Sequence, residues 1–446
     1  MKILSIKTVK SSWYVILFLL TCHFSFSQDL KVQHLQADVS RNGHVSHALT
    51  PIASLSKAFA IPNNNRLSQA GVPGSASNMS GRDMSGAIRL TNTSSLEYYR
   101  DLNSINANTK FSSSIIEYKG PSGGPNEFVV RGRYAISLNG NQNSKSQTIN
   151  GVTNTNKCIP FITGIINSSN NSDADSGTAL AYLESNSSMR VRKGSIANNV
   201  TVYITLVEFI GTNWNVLHGD SDNTATDTGT LTLRTNANGT GTAANVPNWN
   251  KAIIFGQHIG DFSTDGTNDA IADNWPIFRP GNNNQQVNWE FNENHDSNGH
   301  NKHFVHVLIN GNLNVTRFQN TSNTDNETAF NISSAGLSNM NQSMIVGASI
   351  SNGTGTAYGR GWRNYYLKSI TQAAHWAHRS GNNMIHEVQI VDFTDLQSLN
   401  CNATVNSFPY TENFESNIGL WSQTGSDDID WSRRNGNTPS SSTGPS

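Results

Sequence analysis

The chain has 446 residues, a formal net charge of −1, and charged residues at only 14%, well below the roughly 25% of an average soluble domain. Such a balance gives no electrostatic footing to a nucleic-acid or anionic-membrane partner, and 9 Trp, 11 Tyr and 18 Phe speak against a disordered chain. Asn, Ser, Thr and Gly stand where charges are missing, a composition that suits an extracellular β-protein with many turns.

In chain order, Lys2, Lys7 and Lys10 precede the apolar run Trp13 to Leu20, and "HFSFSQ" follows with small residues at Ser25 and Ser27. This is the three-part layout of a secretory signal peptide, with cleavage expected between Ser27 and Gln28. No other run approaches the ~20 apolar residues of a membrane span. The mature chain is therefore expected to be exported, secreted or at the cell surface, with no transmembrane segment. Cleavage leaves Cys158 and Cys401, which either bridge each other or leave Cys401 for another partner.

Residues 28–56 read as a lead-in, and residues 57–398 as four degenerate repeats of roughly 90 residues. Their approximate limits are 57–135, 157–220, 251–320 and 343–398. Three copies end a long alternating stretch on apolar–apolar–acid–aromatic: Ile115-Ile116-Glu117-Tyr118, Leu206-Val207-Glu208-Phe209 and Ile390-Val391-Asp392-Phe393. The copy around "KHFVHVLING" has lost the acid–aromatic pair. "KAFAI", "KCIPFITG", "KAIIFGQ" and "SMIVGAS" mark a second recurring strand. In "NVTVYITLVEF" both alternating faces are apolar, which predicts a central strand covered on both sides. The fold expected is all-β: tandem β-sandwich, jelly-roll-like repeats, either in a row or paired.

Chemistry-bearing motifs are few. "GPSGG" at 120–124 matches G-x-S-x-G, but a strand and not a helix follows it, so a hairpin loop is expected. His295, His300, His303 and His306 cluster, as do His375, His378 and His386, without HExxH; His303 and His306 on one strand point to opposite faces and cannot easily share a metal. Asp220, Asp222 and Asp227 in one loop, and Asp261, Asp265 and Asp269 in another, read as acidic turns, with calcium the other reading. Glu117, Glu208 and Asp392 recur without a second carboxylate, which predicts a structural role, capping a turn or pairing with an arginine such as Arg131, or else repeated weak binding sites. No catalytic residue is assigned. Trp214, Trp289, Trp362 and Trp376 are the candidate ligand-binding residues, as stacking platforms for sugars, with burial in a core the other reading.

The segment 401–446 carries Phe414-Glu415, Trp421, Asp427-Asp428-Ile429-Asp430-Trp431, Thr438-Pro439 and Thr443-Gly444-Pro445. In order and spacing this resembles the start of a MAM domain, a β-sandwich adhesion module. The resemblance covers about residues 407–446, roughly the first quarter of such a domain, so a truncated module is expected. It implies a structural cation, calcium, held by Glu415 with Asp427, Asp428 or Asp430. The resulting expectation is a secreted or cell-surface, non-enzymatic adhesion protein that binds glycans or proteins at a cell or matrix surface. Two alternatives stand beside it: the accessory region of a secreted multidomain hydrolase such as a peptidase, and a structural spacer or filament subunit.

Overall fold

A computed structural model of the chain describes residues 27–39, 44–63, 86–100, 109–167, 178–194, 199–221, 226, 228–259, 276–291, 302–322, 326–351, 363–377 and 384–398. Among these residues all regular structure is β-strand apart from short 3-10 turns. Short strands β1 (Ser27–Gln28) and β26 (Gln397–Ser398) bracket four units of six strands each. The first unit holds β2 (Leu30–Val39), β3 (His44–Ala48), β4 (Ala58–Pro62), β5 (Gly86–Leu90), β6 (Ser95–Tyr99) and β7 (Thr109–Tyr118). The second holds β8 (Val129–Leu138), β9 (Ser144–Thr148), β10 (Cys158–Asn167), β11 (Ala179–Ser185), β12 (Ser188–Lys193) and β13 (Val200–Glu208). The third holds β14 (Trp214–Asp220), β15 (Thr228–Thr232), β16 (Ala252–Ile259), β17 (Ile277–Pro280), β18 (Gln286–Glu290) and β19 (Lys302–Asn310). The fourth holds β20 (Asn314–Ser322), β21 (Asn326–Asn331), β22 (Ser343–Ser351), β23 (Arg363–Ser369), β24 (Gln372–Ala377) and β25 (Met384–Asp392).

Every unit is a β-sandwich of two antiparallel three-stranded layers. The inner layer orders its first, last and third strands, as in β2-β7-β4, so the last strand is central. The outer layer orders the second, fifth and fourth, as in β3-β6-β5. Period-2 alternation then sorts the central strand's side chains. In β13, Val200, Val202, Ile204 and Leu206 fill the second sandwich's own core, while Val207 and the following Phe209 face away from it into a second core. The strand read as apolar on both faces is thus covered on both faces.

That second core is common to all four units. Phe59, Phe161, Phe209, Phe255, Met344 and Phe393 meet there, with Phe59 stacked on Phe161 at 5.1 Å and Phe161 edge-on to Phe255 at 5.0 Å. The sandwiches therefore form a ring about one apolar centre, within the single compact body Gln28–Gln397. The first and last units meet where the Asp29 amide donates to the Leu396 carbonyl at 3.1 Å and the Gly347 amide to the Asn63 carbonyl at 2.9 Å. Two of the seams are continuous sheet: β5 pairs with β10 and β11 with β16.

A repeated turn enters each third strand. Ser54, Asn154, Asn248 and Asn339 each accept, through the side chain, the backbone N–H two residues on, and a 3-10 turn follows. Such Asx- and Ser-turns satisfy backbone donors that the strand ladder cannot reach. The residue closing the turn reaches a linker between units or the start of the next strand: Lys57 lies 3.8 Å from Glu127, Lys157 donates to the Gly211 carbonyl at 3.0 Å, and Lys251 donates to Asn314 at the start of β20 at 2.7 Å.

From each unit's first strand, one basic side chain reaches back to the preceding unit's turn. Arg133 donates to the Leu55 and Ala58 carbonyls, His218 to Asn156, Arg317 to Trp249 and Ala252, and His34 of the first unit to Met340 of the fourth. All four occupy one register position, opposite Ser114, Thr205, His306 and Gln389. A second contact crosses each seam from the last strand to the fourth strand of the preceding unit. Tyr203 meets Arg89, Phe304 stacks on Tyr182 at 5.3 Å, Glu387 pairs with Arg279 at 2.9 Å, and the Ser112 hydroxyl donates to the Tyr365 carbonyl at 2.8 Å.

Glycine is required where an aromatic ring of the fourth strand lies on the third. A Cβ at Gly256 would run into the Phe278 ring, and one at Gly347 into Tyr365. Gly256→Val is expected to cost at least the ~1–3 kcal/mol of an overpacked core, seen as a lower melting temperature, with Gly256→Ala milder.

Candidate binding groove on the third unit

The outer layer of the third unit pairs β15 with β18 and β18 with β17. Register places Gly229, Trp289 and Phe278 in one row, and their side-chain directions point into the sandwich. Trp289 is only 2% exposed and stacks on His303 at 4.1 Å. Its indole lies so close over Gly229 that a Cβ there would strike it, which accounts for glycine at that position.

Period-2 alternation sends the flanking rows outward. One is Thr230, Asn288 and Arg279; the other is Thr228, Glu290 and Ile277. Together with Pro280, Gly229 and Trp289 they line a groove of about 260 Å³. The threonines are exposed, and Asn288, Glu290 and Arg279 are half-buried. Thr230 Oγ1 donates to Asn288 Oδ1 at 3.2 Å. Arg279 is held from two sides, Nη1 donating to Glu290 at 2.8 Å and Nε to Glu387 of the fourth unit at 2.9 Å. Burial pushes the Glu387 carboxyl above the usual carboxylate range, and the like charge of Glu290 adds to it against the opposing pull of Arg279 and Arg317. Two hydroxyls, an amide, a guanidinium and a carboxylate thus converge on a surface concavity beside the apolar side chains of Ile277 and Pro280, the makeup of a site for a polar ligand.

The other candidate residues are placed as follows. Trp214 is 2% exposed in the shared core, edge-on to Phe209 at 5.2 Å, with no ring face open to a ligand. Trp376 is half-buried on the outer layer of the fourth unit, with Lys110 5.2 Å above its ring. Trp362, Glu415, Asp427, Asp428 and Asp430 lie outside the described residues, as do Cys401 and the whole MAM-like segment.

The acids at the strand ends are structural. Glu208 is fully buried and accepts from the Thr153 amide at 3.2 Å, the Thr153 hydroxyl at 2.5 Å, the Asn154 amide at 2.6 Å and Arg131 Nε at 2.6 Å. Glu117 accepts the Ala53 amide at 2.7 Å, and Asp392 the Thr394 amide at 3.0 Å. Both glutamates hold the loop that leads into the repeated 3-10 turn. In the third unit Ile309 occupies this register position.

His303 and His306 do point to opposite faces. His303 packs inside the third sandwich, whereas His306 faces the seam, its Nδ1 2.9 Å from Nδ1 of His218. His218 donates through Nε2 to the Asn156 carbonyl, so its Nδ1 accepts the proton carried on His306 Nδ1. Burial pushes His218 down to about 4 and His306 well below its ordinary value, so both are neutral imidazoles at neutral pH. In the fourth unit His375 stacks on His386 at 4.1 Å, and His386 bonds the Tyr365 hydroxyl at 2.8 Å. His295, His300 and His378 lie outside the described residues.

Asp220 pairs with Lys302 at 2.8 Å; Asp222, Asp227, Asp261, Asp265 and Asp269 are not among the described residues. At 120–124 the chain turns, with Gly124 donating to Pro121, and continues into β8. Cys158 is a free, buried thiol whose pKa is raised, first by burial and then by Glu208.

Sequence reasoning singled out Trp289 but not the residues on either side of it. The signal was present: in a strand, an inward tryptophan makes Asn288 and Glu290 outward. Comparison with models of protein families and with curated proteins finds no match.

Proposed function

We propose that the chain is a secreted or cell-surface adhesion protein that binds glycans or proteins without catalysis, the ring of sandwiches serving as a rigid support for surface sites. The observation that carries this reading is the groove of the third unit. Its polar groups sit on paired strands whose other face packs Trp289 and Phe278 into the sandwich core, so they are held in place before a ligand arrives. The recurrent acids support it in another way, because the Glu208 carboxylate, the most heavily hydrogen-bonded among the described residues, is spent on holding a loop. The resemblance of residues 407–446 to an adhesion module adds to it, and the calcium ligands implied there belong to the same proposal.

The test uses the full mature chain on a glycan array and against extracellular-matrix proteins, with and without calcium. Saturable binding that weakens in Asn288→Ala or Thr230→Ala, with the melting temperature unchanged, is the expected result. Ligand binding indifferent to both substitutions would remove the groove from the reading, and no binding at all would remove adhesion.

A further inference from the structure

The groove's charge arrangement narrows the ligand class, on the premise that the groove is the adhesion site just proposed. Of the described residues lining it, only Arg279 is cationic. That guanidinium is already engaged by two carboxylates, Glu290 at 2.8 Å and Glu387 at 2.9 Å. An arriving sulfate or carboxylate would therefore meet a neutralised arginine with Glu290 beside it, and like charges in close apposition are disfavoured. The remaining groups are the hydroxyls of Thr228 and Thr230, the amide of Asn288 and an oxygen of Glu290. The Asn288 carbonyl oxygen accepts from Thr230, which leaves the amide N–H₂ oriented as donor, while Glu290 can only accept. A donor and an acceptor in adjacent rows match neighbouring hydroxyls, each of which gives one hydrogen bond and takes another. About 260 Å³, just under the ~300–1,000 Å³ of sites that take drug-sized ligands, gives room for one ring-sized unit.

We infer that the groove is a subsite for a single neutral pyranose unit, bound through neighbouring hydroxyls to Asn288 and Glu290, and that it rejects acidic sugars.

The experiment is titration calorimetry of the full mature chain with two sets of probes. Cello-, chito- and manno-oligosaccharides are the neutral set; oligogalacturonate and chondroitin sulfate are the acidic one. Binding of at least one neutral probe, weakened about tenfold in Asn288→Ala, is expected, that factor corresponding to one hydrogen bond. No binding of the acidic probes is expected to the native chain, and Glu290→Gln should make oligogalacturonate binding measurable by partly releasing Arg279. Melting temperatures of the variants establish that each is folded. Acidic probes bound in an Asn288-dependent manner would overturn the inference while leaving the adhesion reading intact. So would a protein ligand that is lost in Asn288→Ala while every sugar fails. If neither sugars nor proteins bind, the adhesion reading fails as well.

Discussion

Replacing Glu208 by alanine is expected to cost the fold about 3–5 kcal/mol, the loss that follows when one partner of a buried ion pair is removed. Three further donors lose their acceptor in the same step: the Thr153 amide and hydroxyl and the Asn154 amide. Each buried donor left unmatched carries its own desolvation penalty. Glu117→Ala should cost less, about 1–2 kcal/mol, because among the described residues only the Ala53 amide and a 3.5 Å contact with half-exposed Lys119 depend on it. Denaturant melts of the two variants give this ranking directly. Acid provides a second signature. Burial pushes the Glu208 carboxyl upward, but the hydrogen bonds from Thr153, Asn154 and Arg131 together outweigh it and leave the pKa below its ordinary value. A depressed carboxylate contributes stability that is present above its unfolded pKa of roughly 4.3 and is lost as pH falls through the lower folded value. Stability of the parent chain should therefore fall more steeply below about pH 4 than that of Glu208→Ala. Equal slopes would mean that the ion pair and its hydrogen bonds do not form as described.

The same residue shows how much could be read from sequence. Glu208 and Glu117 recur in phase because a strand end and a loop meet at the same place in the first two units, and Asp392, which holds Thr394 instead, keeps the same position, so the pattern is visible. The apolar faces of "NVTVYITLVEF" were legible for the same reason. The ring was not legible. Its seams recur in position but not in chemistry: His34, Arg133, His218 and Arg317 all reach the preceding turn, yet no composition or spacing unites them. Across the outer part of the seams, Ser112, Tyr203, Phe304 and Glu387 make a hydrogen bond, a cation–π contact, a ring stack and an ion pair. Divergent side chains can serve one geometry because each need only satisfy its local partner. The groove was half legible: Trp289 stands out as an aromatic, whereas the polar groups that line the groove stand on the opposite face of its strand and are of kinds found throughout the chain.

Arg317→Ala is expected to have the second largest effect, about 2–5 kcal/mol. It leaves the Trp249 and Ala252 carbonyls without their donor, each at about 1–3 kcal/mol, and removes a guanidinium lying 5.9 Å over the Trp249 ring. Lysine should recover only part of this, since a single ammonium replaces a planar fork that serves both carbonyls and Gln389. His34→Ala, which removes one hydrogen bond where the first unit meets the fourth, should cost about 1 kcal/mol. What these variants do to distant units separates a ring from a row of sandwiches. In a row, each unit interacts with its neighbours alone and a defect stays local. Here the four inner layers share one core, and Phe59, Phe161, Phe255 and Met344 lose their packing together. Global unfolding should then be a single transition, and hydrogen exchange through it should speed up in β7 of the first unit as much as in β25 beside Arg317. Faster exchange confined to the third and fourth units would mean that the shared core contributes little, and that the sandwiches stand on their own.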